Sequence, residues 1–164
     1  MSFTVREPRR ADAGALAALH VSTWQETYSR LLPEGFFTDA FADGRQRMWE
    51  YLLAQPRPEH AVRVAELDGA LIGFAWIGPG RSEPDEAPPR ERELCAIYVA
   101  AAHHGSGVGQ ELLDAALGAM PASLWVATQN PRAIAFYRRN GFAFDGVEKT
   151  DPAIPGITEA RMLR

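Results

Sequence analysis

The chain has 164 residues, 46% hydrophobic and 23% charged, with a formal net charge of −4. That length and mixture suit a single globular domain, 1–164, with a core of its own. The acidic balance and the lack of a basic run argue against nucleic acid as a partner, and with no stretch of about 18 apolar residues and no signal peptide, no membrane partner and a cytoplasmic location are expected.

The segment FTVREP alternates apolar and polar residues and stops at Pro8, as a first strand would. The period then changes. Leu16, Leu19, Trp24, Tyr28 and Leu31 recur at helical spacing, with Asp12 as the expected N-cap and Pro33 as the stop. A second helix is predicted from Phe36 to Gln55, with Phe37, Phe41, Met48, Trp49 and Leu52 on its apolar face. In AVRVAELDGALIGFAWIG two β-type runs flank Asp68-Gly69, a pair suited to the positive φ angles of a type I′ hairpin turn. The proline-rich, charged stretch from Pro79 to Arg92 reads as an exposed loop.

ELCAIYV is the central strand of the pattern, with few polar residues. It contains Cys95, the only cysteine, which excludes an internal disulfide and reads as a small buried apolar residue; no metal is expected. A glycine-rich turn follows, then a helix with Val108, Leu112, Leu113, Ala116, Leu117 and Met120 on one face, then the short strand SLWVAT. In NPRAIAFYRRNGF both ends of a helix are written out: Asn130 caps, Pro131 takes the first helical position and Gly141 closes. FAFDGVEKT and ITEARML are the last two strands. A hairpin combined with strand–helix–strand crossovers predicts an α/β (α+β mixed) fold, its mixed sheet covered by helices on both faces.

A strand that passes through glycines into a helix makes an anion site, because the first helical N–H groups lack partners and the helix dipole is positive there. Gly105, Gly107 and Gly109 would line that turn. Neither the dinucleotide fingerprint nor the nucleotide P-loop fits, since Gln110 and Glu111 follow Gly109. A tight corner without a ligand is the other reading of the glycines alone.

HHGSGVGQELL after ELCAIYV resembles the acetyl-CoA signature of the GNAT superfamily of N-acetyltransferases, Arg/Gln-x-x-Gly-x-Gly/Ala, at His104, Gly107 and Gly109. NPRAIAFYRRNGF is similar to the second motif of that family at Asn130, Ala133, Tyr137, Gly141 and Phe142, and the first helix is similar to the W-x-x-x-Y…LLP start of one of its branches. The resemblance spans nearly the whole chain. It implies the GNAT fold: a twisted, mostly antiparallel sheet of six to seven strands, about four flanking helices and a splayed V between the two central strands. It implies transfer of the acetyl group of acetyl-CoA to a primary amine of a small molecule or peptide, by direct attack in a ternary complex. An acyl-CoA-binding regulatory module without turnover is the alternative. Members are often dimers, so a homodimer is within its scope.

The resemblance also implies roles. Tyr137 would protonate the thiolate leaving group, which suits a phenol that stays protonated at neutral pH. Glu93 would act as base toward the amine; Glu91, two residues earlier, shares its face if the strand extends that far. Main-chain N–H groups at Ile97, Tyr98 and Val99 would face the pantetheine arm and the developing oxyanion. The cofactor site would add His104, Gly105, Ser106, Gly107, Val108, Gly109, Asn130, Ala133 and Phe136. One position departs from the pattern: His104 stands where Arg or Gln is usual, so the diphosphate is expected on backbone N–H groups, with a weaker or pH-dependent hold. Trp24, Tyr28 and Glu26 are the expected acceptor-site residues, and His20 reads as a packed helix histidine more readily than as a base.

Overall fold

The chain's seven strands form one sheet in the order β1-β2-β3-β4-β5-β7-β6 in a computed structural model that describes residues 2–164. The strands are β1 (Thr4–Arg6), β2 (Ala61–Leu67), β3 (Ala70–Pro79), β4 (Arg92–Val99), β5 (Ser123–Ala127), β6 (Ala143–Thr150) and β7 (Thr158–Leu163). All neighbours run antiparallel except β4 and β5. Four α-helices cover the sheet: α1 (Ala13–Tyr28), α2 (Asp39–Ala54), α3 (Val108–Ala116) and α4 (Pro131–Arg139). Leu16 of α1 and Trp49 of α2 pack with Val64 and Phe74 in one core. Leu112 and Leu113 of α3 and Tyr137 of α4 pack with Ala75, Leu124 and Met162 in the other. Among the described residues no helix is long and apolar enough to cross a membrane.

Most predicted elements form where their residues place them. Asp68 and Gly69 both take positive φ, 50° and 81°, as a type I′ turn requires. Asn130 Oδ1 accepts the Ala133 N–H at 3.2 Å, and Pro131 opens α4. Three boundaries differ from expectation. α1 stops at Tyr28, five residues short of Pro33, and the chain leaves it through a turn. Asp12 stands at the N-cap position of α1 as expected, but its side chain takes no helix N–H: its carboxylate is held by Arg6 at 2.7 Å and accepts the Arg9 N–H at 2.6 Å. A charge-assisted bond to Arg outcompetes a helix N–H for that carboxylate. α2 begins at Asp39, because the Thr38 hydroxyl accepts the Phe41 N–H at 3.2 Å and sets the N-terminus there. Met120 lies beyond α3 and is exposed.

The loop 80–91 leaves the sheet through a closed neck. Gly80 donates its N–H to the Glu91 carbonyl at 2.8 Å. A Cβ on Gly80 would stand 1.9 Å from the Arg90 carbonyl oxygen, so only glycine fits that crossing. β4 begins at Arg92, so the strand does not extend to Glu91, which is exposed while Glu93 is buried.

His20 is a buried core residue, as its helical position allowed. Its Nδ1 accepts the Trp49 indole N–H at 3.2 Å, and its ring packs on Phe74 and Tyr98. Burial, with a smaller push from Arg45, lowers its pKa to about 3. Between that value and the ordinary 6.5 the unfolded chain binds a proton that the folded chain refuses, so stability falls as pH drops through this window. Thermal melts at pH 7 and pH 5 should show a drop for the native chain. The drop should be smaller for His20→Gln, which keeps an acceptor for Trp49 and cannot take the proton. Trp49, fully buried, should cost about 3–5 kcal/mol when cut to alanine, measured by urea unfolding.

Candidate active site

The functional geometry begins with a break in the sheet. β4 and β5 pair at only two positions, Glu93 with Ser123 and Leu94 with Leu124, and then part. β4 continues along β3 to Val99, while β5 continues along β7. The Ala100 N–H donates to the Ile72 carbonyl on β3 at 2.9 Å. An antiparallel ladder sends alternate residues to the same neighbour. Counting back, the Tyr98 main chain faces β3, and the main chains of Ile97 and Val99 face the gap. Of the three expected main-chain donors, the gap therefore receives two, while Tyr98 reaches it through its side chain.

On the α3–α4 side the gap opens into a groove of about 440 Å³. Ile97, Val99, His104, Gly105, Gly107, Val108 and Gly109 line one side of it, and Ala133, Phe136 and Tyr137 the other. Gly107 is the N-cap of α3 at φ 90°, a conformation that disfavours any side chain, and no side chain caps the helix. Glu111 is the first residue of α3 whose N–H reaches a carbonyl four back, that of Gly107 at 3.1 Å. The preceding helical amides face outward to ligand or water. A Cβ on Gly105 or Gly107 would meet nothing within 4 Å, so the turn is an open concave surface of backbone. Ser106 is turned away, its hydroxyl donating to the His103 carbonyl at 2.6 Å, and it does not line the groove.

His104 lies within the site, and its partners assign its protons. Arg132 of α4 donates to Nδ1, so Nε2 carries the proton that goes to the Val99 carbonyl at 2.8 Å. This brings a guanidinium to the groove from α4, beside the position where the family pattern carries its own cation. Arg132 and Arg139 both line the groove, together with His103. The groove expected to hold a diphosphate mainly on backbone N–H groups thus also carries two guanidinium groups in its wall. Sequence reasoning did not single out Arg132; its place in N-P-R-A, in the first turn of α4 next to Ala133, was the available signal.

Deeper in the gap lies a cavity of about 90 Å³ between Ile97 and Val99 of β4, Asn130, and Tyr137 of α4. Tyr28, Tyr98 and Tyr137 all reach it, and burial raises the pKa of each phenol. All three therefore hold their protons at neutral pH. Tyr137 is the only one of them that also lines the groove. Cys95 lines this cavity as well, its thiol pushed up to about 12 chiefly by burial, which leaves it uncharged and a poor nucleophile.

The same gap continues to a third cavity, of about 100 Å³, on the α1 side. Trp24, Tyr28, Tyr98 and Trp125 wall it, with Arg81, Glu93 and Glu159 as its charged members. Glu93 is 1% exposed, and its Oε2 is held by Arg81 at 2.7 Å from Nε and 2.5 Å from Nη2. Glu26 lies elsewhere: its carboxylate accepts the Ala101 N–H at 3.0 Å and ties α1 to the turn after β4. It was expected at the acceptor site as a carboxylate of the first helix, and it does not line the cavity that holds Trp24 and Tyr28. Trp76 stacks on His60, and among the described residues no group of His, Cys, Asp and Glu suits a metal ion.

The sequence model of the acetyltransferase (GNAT) family matches residues 21–142. The chain belongs to that family. It is 28% identical over 162 residues to a probable N-acetyltransferase of Mycobacterium tuberculosis, covering 95% of this chain and 88% of the relative. It is 36% identical over 104 residues to the N-alpha-acetyltransferase RimI of the same organism, covering 61% of this chain and 63% of RimI. Among solved structures it is similar to the PaiA N-acetyltransferase of Thermoplasma acidophilum in complex with coenzyme A, with 21% identity, a TM-score of 0.65 and 98% of both chains covered. The ribosomal-protein-alanine N-acetyltransferase of Brucella melitensis superposes with a TM-score of 0.73 at 24% identity, again over 98% of both chains. The seven-stranded, mostly antiparallel sheet with four helices is the GNAT fold.

If Arg132 supplies the groove's cation, Arg132→Ala should weaken coenzyme A binding about tenfold, the loss of one charge-assisted contact. Calorimetric titrations at two salt concentrations would check this, since the variant should also show the shallower salt dependence.

Proposed function

We propose that the chain transfers the acetyl group of acetyl-CoA to a primary amine in a single ternary complex. The observation that carries this reading is the gap between β4 and β5, which joins three cavities in a row through shared walls. Tyr137 and Val99 line both the groove and the middle cavity; Tyr98 and Cys95 line both the middle cavity and the third. A thioester entering from the α3–α4 side and an amine entering from the α1 side would meet between the parted strands.

Each residue then has a task that its surroundings support. The outward amides at the start of α3, with Arg132 and Arg139, hold the diphosphate end of the cofactor. The unpaired main chain of Ile97 and Val99 takes the pantetheine arm, and an N–H there is available to the carbonyl oxygen as it gains charge. The amine nitrogen attacks the thioester carbon, the carbon–sulfur bond breaks, and the sulfur takes a proton from Tyr137. Glu93, through Oε1 directly or by way of water, removes the proton from the amine. Cys95, protonated and half-buried, forms no acyl intermediate.

Free thiol should appear when the protein is given acetyl-CoA and a panel of amines. Tyr137→Phe should lower kcat at least about tenfold, the low end of what losing a general acid costs, while leaving coenzyme A binding near native. Coenzyme A binding without thiol release on any amine would instead favour the regulatory module.

A further inference from the structure

Among the described residues three buried side-chain nitrogen or oxygen atoms have no hydrogen-bond partner: Trp24 Nε1, Arg45 Nε and Glu93 Oε1. Arg45 lies against the rings of Trp24 and Phe41, outside the cavity walls. Trp24 and Glu93 both line the third cavity. A buried carboxylate oxygen without a donor is costly to leave unmatched, so Oε1 marks a place where a donor would be stabilised.

The ion pair beside it is only half used. Arg81 Nε and Nη2 both address the same oxygen, Oε2, in place of the two-oxygen fork that Arg and carboxylate usually form. Oε1 is left as an acceptor, and Arg81 Nη1 makes no hydrogen bond among the described residues. Glu93 is fully buried while Arg81 has 65% of its side chain exposed, so the acceptor lies deep and the donor at the mouth.

A ligand that completes this pair carries a donor toward the gap and an acceptor one or two bonds behind it. We propose that the amine acceptor is an α-amino-acyl head group, an ammonium next to a carbonyl, clamped by Glu93 Oε1 at the nitrogen and by Arg81 at the carbonyl oxygen. The nitrogen then points toward Tyr137 and the rest of the ligand leaves past Arg81. The small volume, about 100 Å³, suits a short side chain against Trp24, Tyr28 and Trp125. A second ammonium in place of the carbonyl would meet the Arg81 guanidinium, so plain diamines are disfavoured. The clamp rests on the acetyltransferase reading for the fate of the amine, but not for its binding.

The test compares alaninamide with isopropylamine, which lacks the carbonyl, and with 1,2-diaminopropane, which replaces it by an aminomethyl group. Compared per neutral amine at the assay pH, so that the lower basicity of the amino amide is removed, alaninamide should be acetylated with kcat/KM at least about tenfold above either, the worth of one charge-assisted hydrogen bond. In Arg81→Ala the ratio of alaninamide to isopropylamine should collapse toward one, through KM. Equal ratios in the native chain, or an unchanged ratio in Arg81→Ala, would overturn the clamp. Adding free alanine and a short peptide with N-terminal alanine separates a free amino acid from a chain terminus as the source of the head group. If no amine releases thiol, the proposed activity fails, and the clamp is then read from calorimetry on the protein saturated with coenzyme A. Alaninamide should bind at least about tenfold more tightly than isopropylamine to the native chain and lose that margin in Arg81→Ala; equal binding overturns it.

Discussion

The early parting of β4 and β5 governs the rest of this molecule. Two strands that run parallel and share a sheet would ordinarily pair along their length, satisfying their own N–H and C=O groups. Here pairing ends after Leu94, and the β3–β4 ladder shifts register between Trp76 and Ile77, opposite the extra residue Cys95. A bulge bends its strand and sharpens the local twist, turning β4 away from β5. The freed main chain of Ile97 and Val99 then has no protein strand to satisfy it, apart from the imidazole of His104 on the Val99 carbonyl. A fold that leaves such groups open in its middle, between its hydrophobic clusters, has main-chain hydrogen-bonding capacity there for a ligand.

Charge is distributed along the gap in a consistent way. In the middle, burial keeps the titratable groups neutral: three phenols and a thiol all have their pKa raised, and the nearby imidazole of His20 has its own lowered. Ionic groups lie toward the two ends, with Arg139 on the groove side, Arg132 reaching from the groove into the wall of the middle cavity, and the Arg81–Glu93 pair and Glu159 on the other side. Buried, uncharged phenols between them give a low-dielectric centre in which any hydrogen bond is strengthened.

The elements were legible because local chemistry and packing agree in them. The caps of α4, the hairpin turn at Asp68-Gly69 and the apolar stripe of α3 all act within a few residues of chain, which is the range a sequence displays directly. The glycine turn was legible for the same reason, since the need for bare backbone is local. What escaped notice depends on distant partners. Asp12 went to Arg6 because β1 lies against it, Glu26 went to the turn after β4, and Arg132 came beside His104 from 28 residues further along. The ion pair of Glu93 with Arg81 belongs to this group too. Nothing in ELCAIYV announces which residue of a charged loop will fold back onto its first carboxylate.

The neck of the 80–91 loop separates two kinds of constraint. Its base is cinched by the Gly80–Glu91 bond and by a crossing that admits no side chain, so the sheet register on either side does not depend on what hangs beyond. The stretch 82–89 is thus free to lengthen, shorten or change composition without disturbing the strands, whereas the glycine turn before α3, made of main chain at fixed angles, has no such latitude. Since Arg81 stands at the root of that stretch, a change of loop that moves it would redraw the wall around Glu93 and leave the α3–α4 groove as it is.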